Sequence, residues 1–550
     1  MAQSGTLTAK GMEDLDPRTK VTIMIAILAG MLFSALNQTI VGTALPRIIA
    51  DLGGMEYYSW VFTSYMLTSS VTMLLAGKLS DMYGRKVFLL IGMAVFMVGA
   101  FLAGTAGTII QLIVHRGIQG LGAGIIMTTS MAAVGDLFSP RERGKWQGVL
   151  GAVFGLASVI GPFLGGYIVD YFNWEWVFWV NLPIGVIAFF MILRLFPQTA
   201  RQEGKIDYLG AVLVTVVIVT LLLAFSWAGS KYEWGSAQIV GLFVASAVSL
   251  LLFLLAESRA TSPILPLGLF TNSIFNISNI VGFLTGFAMF GAIMYIPLFV
   301  QGVIGTSATQ SGLVMMPMTV SLVIASALAG QLTTRTGRYK WVAIMGNAIL
   351  VVGMYLLSTM TVDTANLTAT FYMIILGAGL GFTMPIFMLA VQNALPPSLL
   401  GVTSSAVQLF RSVGGTVGVA IMGTIMTNKI NEEMTAHLPG AVKQFLAQPG
   451  VAEQSKNLMN PQILINQDKL GEIRAAMPAQ VQPIFDQLIE ALKFALTSGL
   501  DAVFHFGFYI ALVGLALTFL LKEIPLRTSN KEAADGADAT KVNAEPQHQP

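Results

Sequence analysis

The stretch GKLSDMYGR, Gly77 to Arg85, returns in outline as GQLTTRTGR, Gly330 to Arg338, at an offset of 253 positions (330 − 77). Each copy stands between two long uncharged apolar runs and reads as a tight turn joining two helices. Gly77 and Gly84 suit a close helix approach and a turn that needs positive φ, which a side chain would disfavour. The same offset carries the first apolar run of the chain onto the ninth, the fourth onto the twelfth and the fifth onto the thirteenth. An echo over nine positions alone could be coincidence. A shared register over several runs points to a duplicated architecture.

Composition says what those runs are. Of 550 residues, 55% are hydrophobic and 11% charged, against roughly 25% charged in soluble domains. Fourteen predominantly apolar runs reach the length of about 20 residues that a helix needs to cross a hydrocarbon core of ~30 Å. They cover 21–42, 57–77, 87–107, 109–135, 146–169, 176–196, 208–228, 237–256, 273–300, 309–331, 341–360, 367–391, 402–428 and 500–521. Only helices and closed barrels satisfy backbone groups in lipid, so the chain is expected to be an all-α polytopic membrane protein. The first run is too long for a signal-peptide core, follows Glu13, Asp14 and Asp16, and lacks a cleavage site, so it is expected to be retained. With 0 Cys, disulfides and thiolate metal sites are excluded.

Charge gives an orientation. The short loops on one side hold only Arg47 and Lys231, and one long loop on that side holds Lys429, Lys443, Lys456, Lys469, Arg474 and Lys493. Nearly all other Lys and Arg fall on the opposite side, which the positive-inside rule makes cytoplasmic; long loops are discounted. Both termini are then cytoplasmic, and an even number of spans, fourteen, follows. Arg116 and Arg411 are the exceptions inside runs. A net charge of +2 gives no reason to invoke nucleic acid.

Three further segments carry chemistry. In GKLSDMYGRK, Asp81 is placed to cap the next helix N-terminus while pairing with a nearby Arg. RGIQGLGAG, Arg116 to Gly124, sets a guanidinium about two turns into the fourth run, where insertion of a central Arg costs roughly 2.5–3.5 kcal/mol unless it is compensated or snorkels outward. GLASVIGPFLGG, Gly155 to Gly166, puts Pro162, which has no backbone donor, inside the fifth run and predicts a kink there.

Together with LNQTIVGTALP (Leu36–Pro46) and WEWVFWVNLPIG (Trp174–Gly185), these segments resemble the fourteen-helix drug/proton antiporter branch of the major facilitator superfamily. The resemblance runs along nearly the whole chain and implies two six-helix bundles plus two linking helices. The expected divisions are a cytoplasmic segment 1–20, a bundle 21–196, two linking helices 197–271, a bundle 272–521 carrying an outer loop 430–499, and a disordered tail 522–550. It further implies an inner-gate latch of Gly77, Asp81, Gly84, Arg85, Arg141 and Arg143, weakened in the second copy where Thr334 replaces Asp81. The antiporter motif falls on Gly155, Gly161, Pro162, Gly165 and Gly166, and proton coupling is associated with Arg116.

Helix 1 of that branch commonly carries an aspartate where Asn37 stands. Here no Asp or Glu falls centrally in any run. The central cavity is therefore expected to use neutral groups, with Asn37, Gln38, Asn276, Asn279, Gln392, Gln408 and Arg411 as candidates beside Asn347 and Asn393. Asp136, His115 and His505 join Arg116 as proton-coupling candidates. The expected activity is proton-driven export of amphipathic, mostly apolar or weakly charged compounds by alternating access across a bacterial cytoplasmic membrane. It calls for no metal, no cofactor and no enzymatic site. Rivals are a dedicated exporter of one metabolite, lipid or peptide, and a non-transporting sensor or scaffold. The loop 430–499 is expected to be a folded cap, with partner docking as an alternative role.

Overall fold

The computed structural model describes residues 15–52, 60–198, 207–229, 231–260, 263–306, 308–396, 399–440, 442, 464, 467–478 and 481–526. Its elements are helices, in the order α1 (Pro17–Leu52), α2 (Trp60–Tyr83), α3 (Arg85–Gly104), α4 (Ile109–Leu137), α5 (Pro140–Tyr171) and, after the single turn Trp176–Trp179, α6 (Leu182–Leu195). Two connecting helices follow, α7 (Tyr208–Trp227) and α8 (Ala237–Glu257). The second set is α9 (Ser273–Leu298), α10 (Ala308–Thr336), α11 (Lys340–Ser358), α12 (Asn366–Ala394), α13 (Leu400–His437) and α14 (Gln482–Phe519).

The duplication legible in the turn sequences is also a duplication of packing. In the first set α1 packs on α5, and α2 and α3 both pack on α4; in the second, α9 packs on α13, and α10 and α11 both pack on α12. The two turn glycines match as well. Gly84 has φ 98° and Gly337 has φ 70°, both in the left-handed region that any side chain would strain. The halves meet through two exchanged pairs, α2 with α13 and α5 with α10.

Twelve candidate spans among the described residues are long and apolar enough to cross a membrane. α2 and α5, with 24 and 32 residues, also have the length. Both lie at the contact between halves, and α2 carries buried hydroxyls such as Ser64, Ser69 and Ser70.

Helix boundaries depart from the apolar runs at three places. α1 continues through Pro46 to Leu52. α5 is helical through Pro162, whose side chain lies outside the described residues. The largest departure is in α13 and α14. Each is 38 residues long, about 57 Å at 1.5 Å per residue, well beyond a ~30 Å core. Charged residues such as Lys429, Glu432, Asp486 and Glu490 end an apolar run, but they do not end an amphipathic helix.

The described part of 430–499 is consequently folded onto the second half. Ile430, Met434, Leu464, Phe485, Leu488 and Leu492 are buried in the same cluster as Phe299, Val300 and Val303. A short helix, Gln467–Ala476, is tied to α14 by a guanidinium–carboxylate fork, Arg474 Nε and Nη2 donating to Asp486 at 2.7 and 2.8 Å. Truncating a buried Phe costs about 3–5 kcal/mol. Phe485→Ala is expected to lower the thermal unfolding midpoint in detergent by several degrees while leaving turnover per folded molecule near wild type. Loss of turnover without loss of stability would give the cap a part in transport.

At the other end of α14, Tyr339 closes the turn between α10 and α11. Its hydroxyl donates to Lys522 O at 2.8 Å and accepts from Ile524 N at 3.2 Å. Burial pushes the phenol up to about 12, so it remains a protonated donor.

Candidate functional site

Arg116 does not snorkel to the surface. It is fully buried in α4, with its guanidinium centre 4.3 Å from the ring centroid of Tyr65 on α2. Its Nη1 donates to Asn37 Oδ1 at 3.1 Å and to Gln119 Oε1 at 2.7 Å, and its Nε donates to Val61 O at 3.4 Å. Gln119 Nε2 donates to the same Asn37 oxygen at 2.9 Å. Two donors converge on that oxygen, which fixes the amide orientation; flipping it would set N–H against N–H. Asn37 and Gln119 are as buried as Arg116. The amides inside helix 1 are thus explained in part: Asn37 helps solvate a buried cation. Gln119 and Tyr65 were missed in the sequence reading. Gln119 had a signal, since it lies one helical turn beyond Arg116 within RGIQGLGAG.

A second constellation gathers where helices of the two halves end in basic residues. Asp81 pairs with Arg85, and Arg85 also donates through Nε to Asp136 at 2.8 Å and through Nη1 to Ser80 Oγ at 2.7 Å. Asp81 does not cap α3, as its position in the turn suggests. Gly84 precedes α3 without a side-chain cap. Instead Asp81 reaches across the interface and accepts from Gly401 N at 3.2 Å and Val402 N at 3.3 Å, in the first turn of α13. A carboxylate there satisfies orphan donors and complements the helix dipole. Arg143 holds the carbonyls of Gly135, at 2.6 Å, and Phe138, at 3.0 Å, and crosses to Gln392 O at 3.2 Å. Gln392 Nε2 returns to Met131 O at 3.4 Å and donates to Ser404 Oγ at 3.0 Å. The side chain of Arg141 lies outside the described residues.

Backbone approaches finish this contact. A Cβ on Gly77 would lie 2.6 Å from Gly401 O, and one on Gly330 would lie 2.0 Å from Gly144 O. The two echo glycines therefore do equivalent work, one at each exchanged pair. The charges do not echo. Thr334 stands at the position of Asp81 and donates to Gly330 O at 2.8 Å, while Arg338, the counterpart of Arg85, is exposed.

The remaining candidates are scattered. Asp136 belongs to the Arg85 cluster and lies 20 positions beyond Arg116 on α4, about 30 Å along the helix. His505 pairs with Asp501 at 3.0 Å, both half-buried, and His115 Nδ1 is buried with no partner in the described structure. Asn276 donates to Phe270 O, Asn279 to Phe275 O and Asn347 to Ala343 O, all local bonds, while Asn393 donates to Pro525 O. Gln38 is half-buried and reaches Met66 Sδ at 3.8 Å. Arg411 donates to Gln408 Oε1, a neutral partner one turn earlier on α13. In the GLASVIGPFLGG segment, a Cβ on Gly155 would meet Val323 of α10, and one on Gly161 would meet Thr39 of α1. Gly165 is buried; Gly166, like Pro162, has no described side-chain environment. The segment is a packing surface shared by α1 and α10.

The sequence profile of the Major Facilitator Superfamily matches residues 27–419. The chain belongs to this superfamily. Among its relatives, the multidrug transporter protein MdtP of Bacillus subtilis is 41% identical over 96% of this chain and 97% of its own. Multidrug resistance protein 3 of the same organism is 37% identical over 90% of this chain and 93% of its own. Of solved structures, human MFSD10 aligns with a TM-score of 0.61 at 13% identity, over 92% of this chain and 100% of that one, a likeness of fold alone. As a major facilitator protein the chain is a multi-pass membrane transporter, and its two packing repeats are those of that fold.

Proposed function

We propose that this protein is a proton-driven multidrug exporter with fourteen spans, both termini in the cytoplasm, and small amphipathic, mostly apolar substrates. It works by alternating access in the cytoplasmic membrane. The observation that carries the reading is the one-sided closure between the halves. The bonds from Asp81 to α13 and from Arg143 to Gln392, and the contacts Gly77–Gly401 and Gly144–Gly330, all lie at the basic end. Closing that end seals the cytoplasmic side of a cavity between the bundles, the arrangement from which an exporter releases its load. Full-length similarity to Bacillus proteins named for multidrug transport supports the substrate class.

The test is substrate-induced proton movement in liposomes containing the purified protein, screened over neutral, cationic and anionic amphiphiles. Several chemically unrelated compounds should each drive proton flux. A response to one compound class alone would favour a dedicated exporter, and none at all would leave a sensor or scaffold.

A further inference from the structure

Two donors of the Arg116 cluster have nowhere to go. Arg116 Nη2 and Asn37 Nδ2 are both buried without a hydrogen-bond partner in the described structure. Both belong to fully buried side chains. The acceptors of the cluster are already engaged, since Asn37 Oδ1 receives two bonds and Gln119 Oε1 receives one from the guanidinium. No carboxylate pairs with Arg116 among the described residues. The ion pairs there belong to Asp81, Asp136, Glu432, Glu433, Asp486 and Asp501. A buried guanidinium is thus solvated by two neutral amides, one backbone carbonyl and a ring face. Its charge is uncompensated, which a low-dielectric setting penalises heavily.

The orphans are all of one kind. A site that lacks only an acceptor, and carries net positive charge, calls for an anionic one. Nη2 and Nδ2 belong to the same two groups that the 3.1 Å bond joins. The neighbouring α1 positions Ser34 and Gln38 are half-buried. In the second half Arg411 follows the same pattern, a guanidinium in a span bonded to a neutral amide.

We propose that Arg116 and Asn37 form an anion-binding site in the first bundle, which takes the carboxylate or sulfonate head of an amphiphilic substrate or, between substrates, an inorganic anion. Arg116 Nη2 and Asn37 Nδ2 donate to the anionic oxygens, and Gln119 holds the guanidinium and the amide in place. This rests on the exporter reading for its substrate and narrows it: acid-bearing amphiphiles are bound in preference to their neutral or cationic counterparts.

Binding can be read without transport. Thermal stability of the purified wild type in detergent is measured against benzoate, its neutral isostere benzamide, and chloride, with an anion-poor buffer as baseline. Benzoate should raise the unfolding midpoint saturably while benzamide does not. Saturation by chloride as well marks inorganic anions as occupants too; an inert chloride restricts the site to substrate carboxylates. Asn37→Asp supplies a carboxylate to the bare guanidinium, so it should fold and raise the baseline midpoint while weakening apparent benzoate affinity at least tenfold. In vesicles, the wild type should export a carboxylate dye faster than its methyl ester, and Asn37→Asp should reverse that order. Equal responses to benzoate and benzamide, or a benzoate response that survives Asn37→Asp unchanged, would overturn the proposal. Export failing while anion binding persists would instead count against the exporter reading alone.

Discussion

Asp81→Ala is expected to lower export at least tenfold while leaving substrate binding in detergent nearly unchanged. Asp81 is buried, paired with Arg85, and bonded to the first-turn amides of α13 in the other half. Removing one member of a buried pair costs about 3–5 kcal/mol, and losing a helix cap about 1 kcal/mol. Arg85 keeps Asp136 and Ser80, so the lower end of that range applies. The part of this cost that falls on the closed state alone, the lost bonds to Gly401 and Val402, shifts the open–closed equilibrium toward open. Fold stability should suffer less, because the bonds to Gly401 and Val402 join the halves, and Arg85, within the first half, keeps its other partners. Asp81→Asn should fall between, since it keeps an acceptor for Gly401 and Val402 and loses the charge. Normal export by Asp81→Ala would remove the latch from the account, and so would loss of the folded protein.

The second large effect is steric. Gly330→Val should reduce export below about a tenth of wild type, because its Cβ would lie 2.0 Å from Gly144 O, a backbone atom with little room to yield. α10 could then not reach α5, and the basic end would stay open. Gly241→Val on α8 is the control: nothing lies within 4 Å of a Cβ there, and export should be unchanged. Binding of substrate from the basic side should survive in Gly330→Val. Should that variant export normally, the halves must close by some other contact.

Much of this architecture was legible in the sequence. The turn echo, the long uncharged runs and the positions of Lys and Arg depend on local composition, and lipid imposes composition over a whole span. Gly84 and Gly337 could be matched because a left-handed turn leaves few other residues as options. What a side chain does across a helix interface was not legible. Asp81 looked like the cap of α3, three positions before Gly84 in the chain. It caps α13, 320 positions away, because the halves bring that N-terminus beside it. Asp136 and Arg116 both stood as proton-coupling candidates on one helix, yet their ends of α4 belong to different clusters. The extent of α13 and α14 was hidden for another reason. Hydropathy sees where lipid ends, and both helices continue into water on the strength of an amphipathic face packed under Phe485, Leu488 and Leu492. Asn37 stands out in the sequence as an amide inside an apolar run, but its partners lie on α4 and needed the fold.

The central claim is that the basic end opens and closes about the Asp81 and glycine contacts. The chain has 0 Cys, so spin labels can be placed on introduced cysteines without first removing native ones. Labels at Lys145 on α5 and Arg335 on α10, exposed neighbours of Gly144 and Thr334, report on the closing pair by pulsed electron-spin distance measurement in liposomes. The account predicts a dominant short distance at rest and a second, longer population during turnover with substrate and a proton gradient. In Asp81→Ala the longer population should dominate under every condition. A single distance that ignores substrate, gradient and the Asp81 substitution would contradict the account.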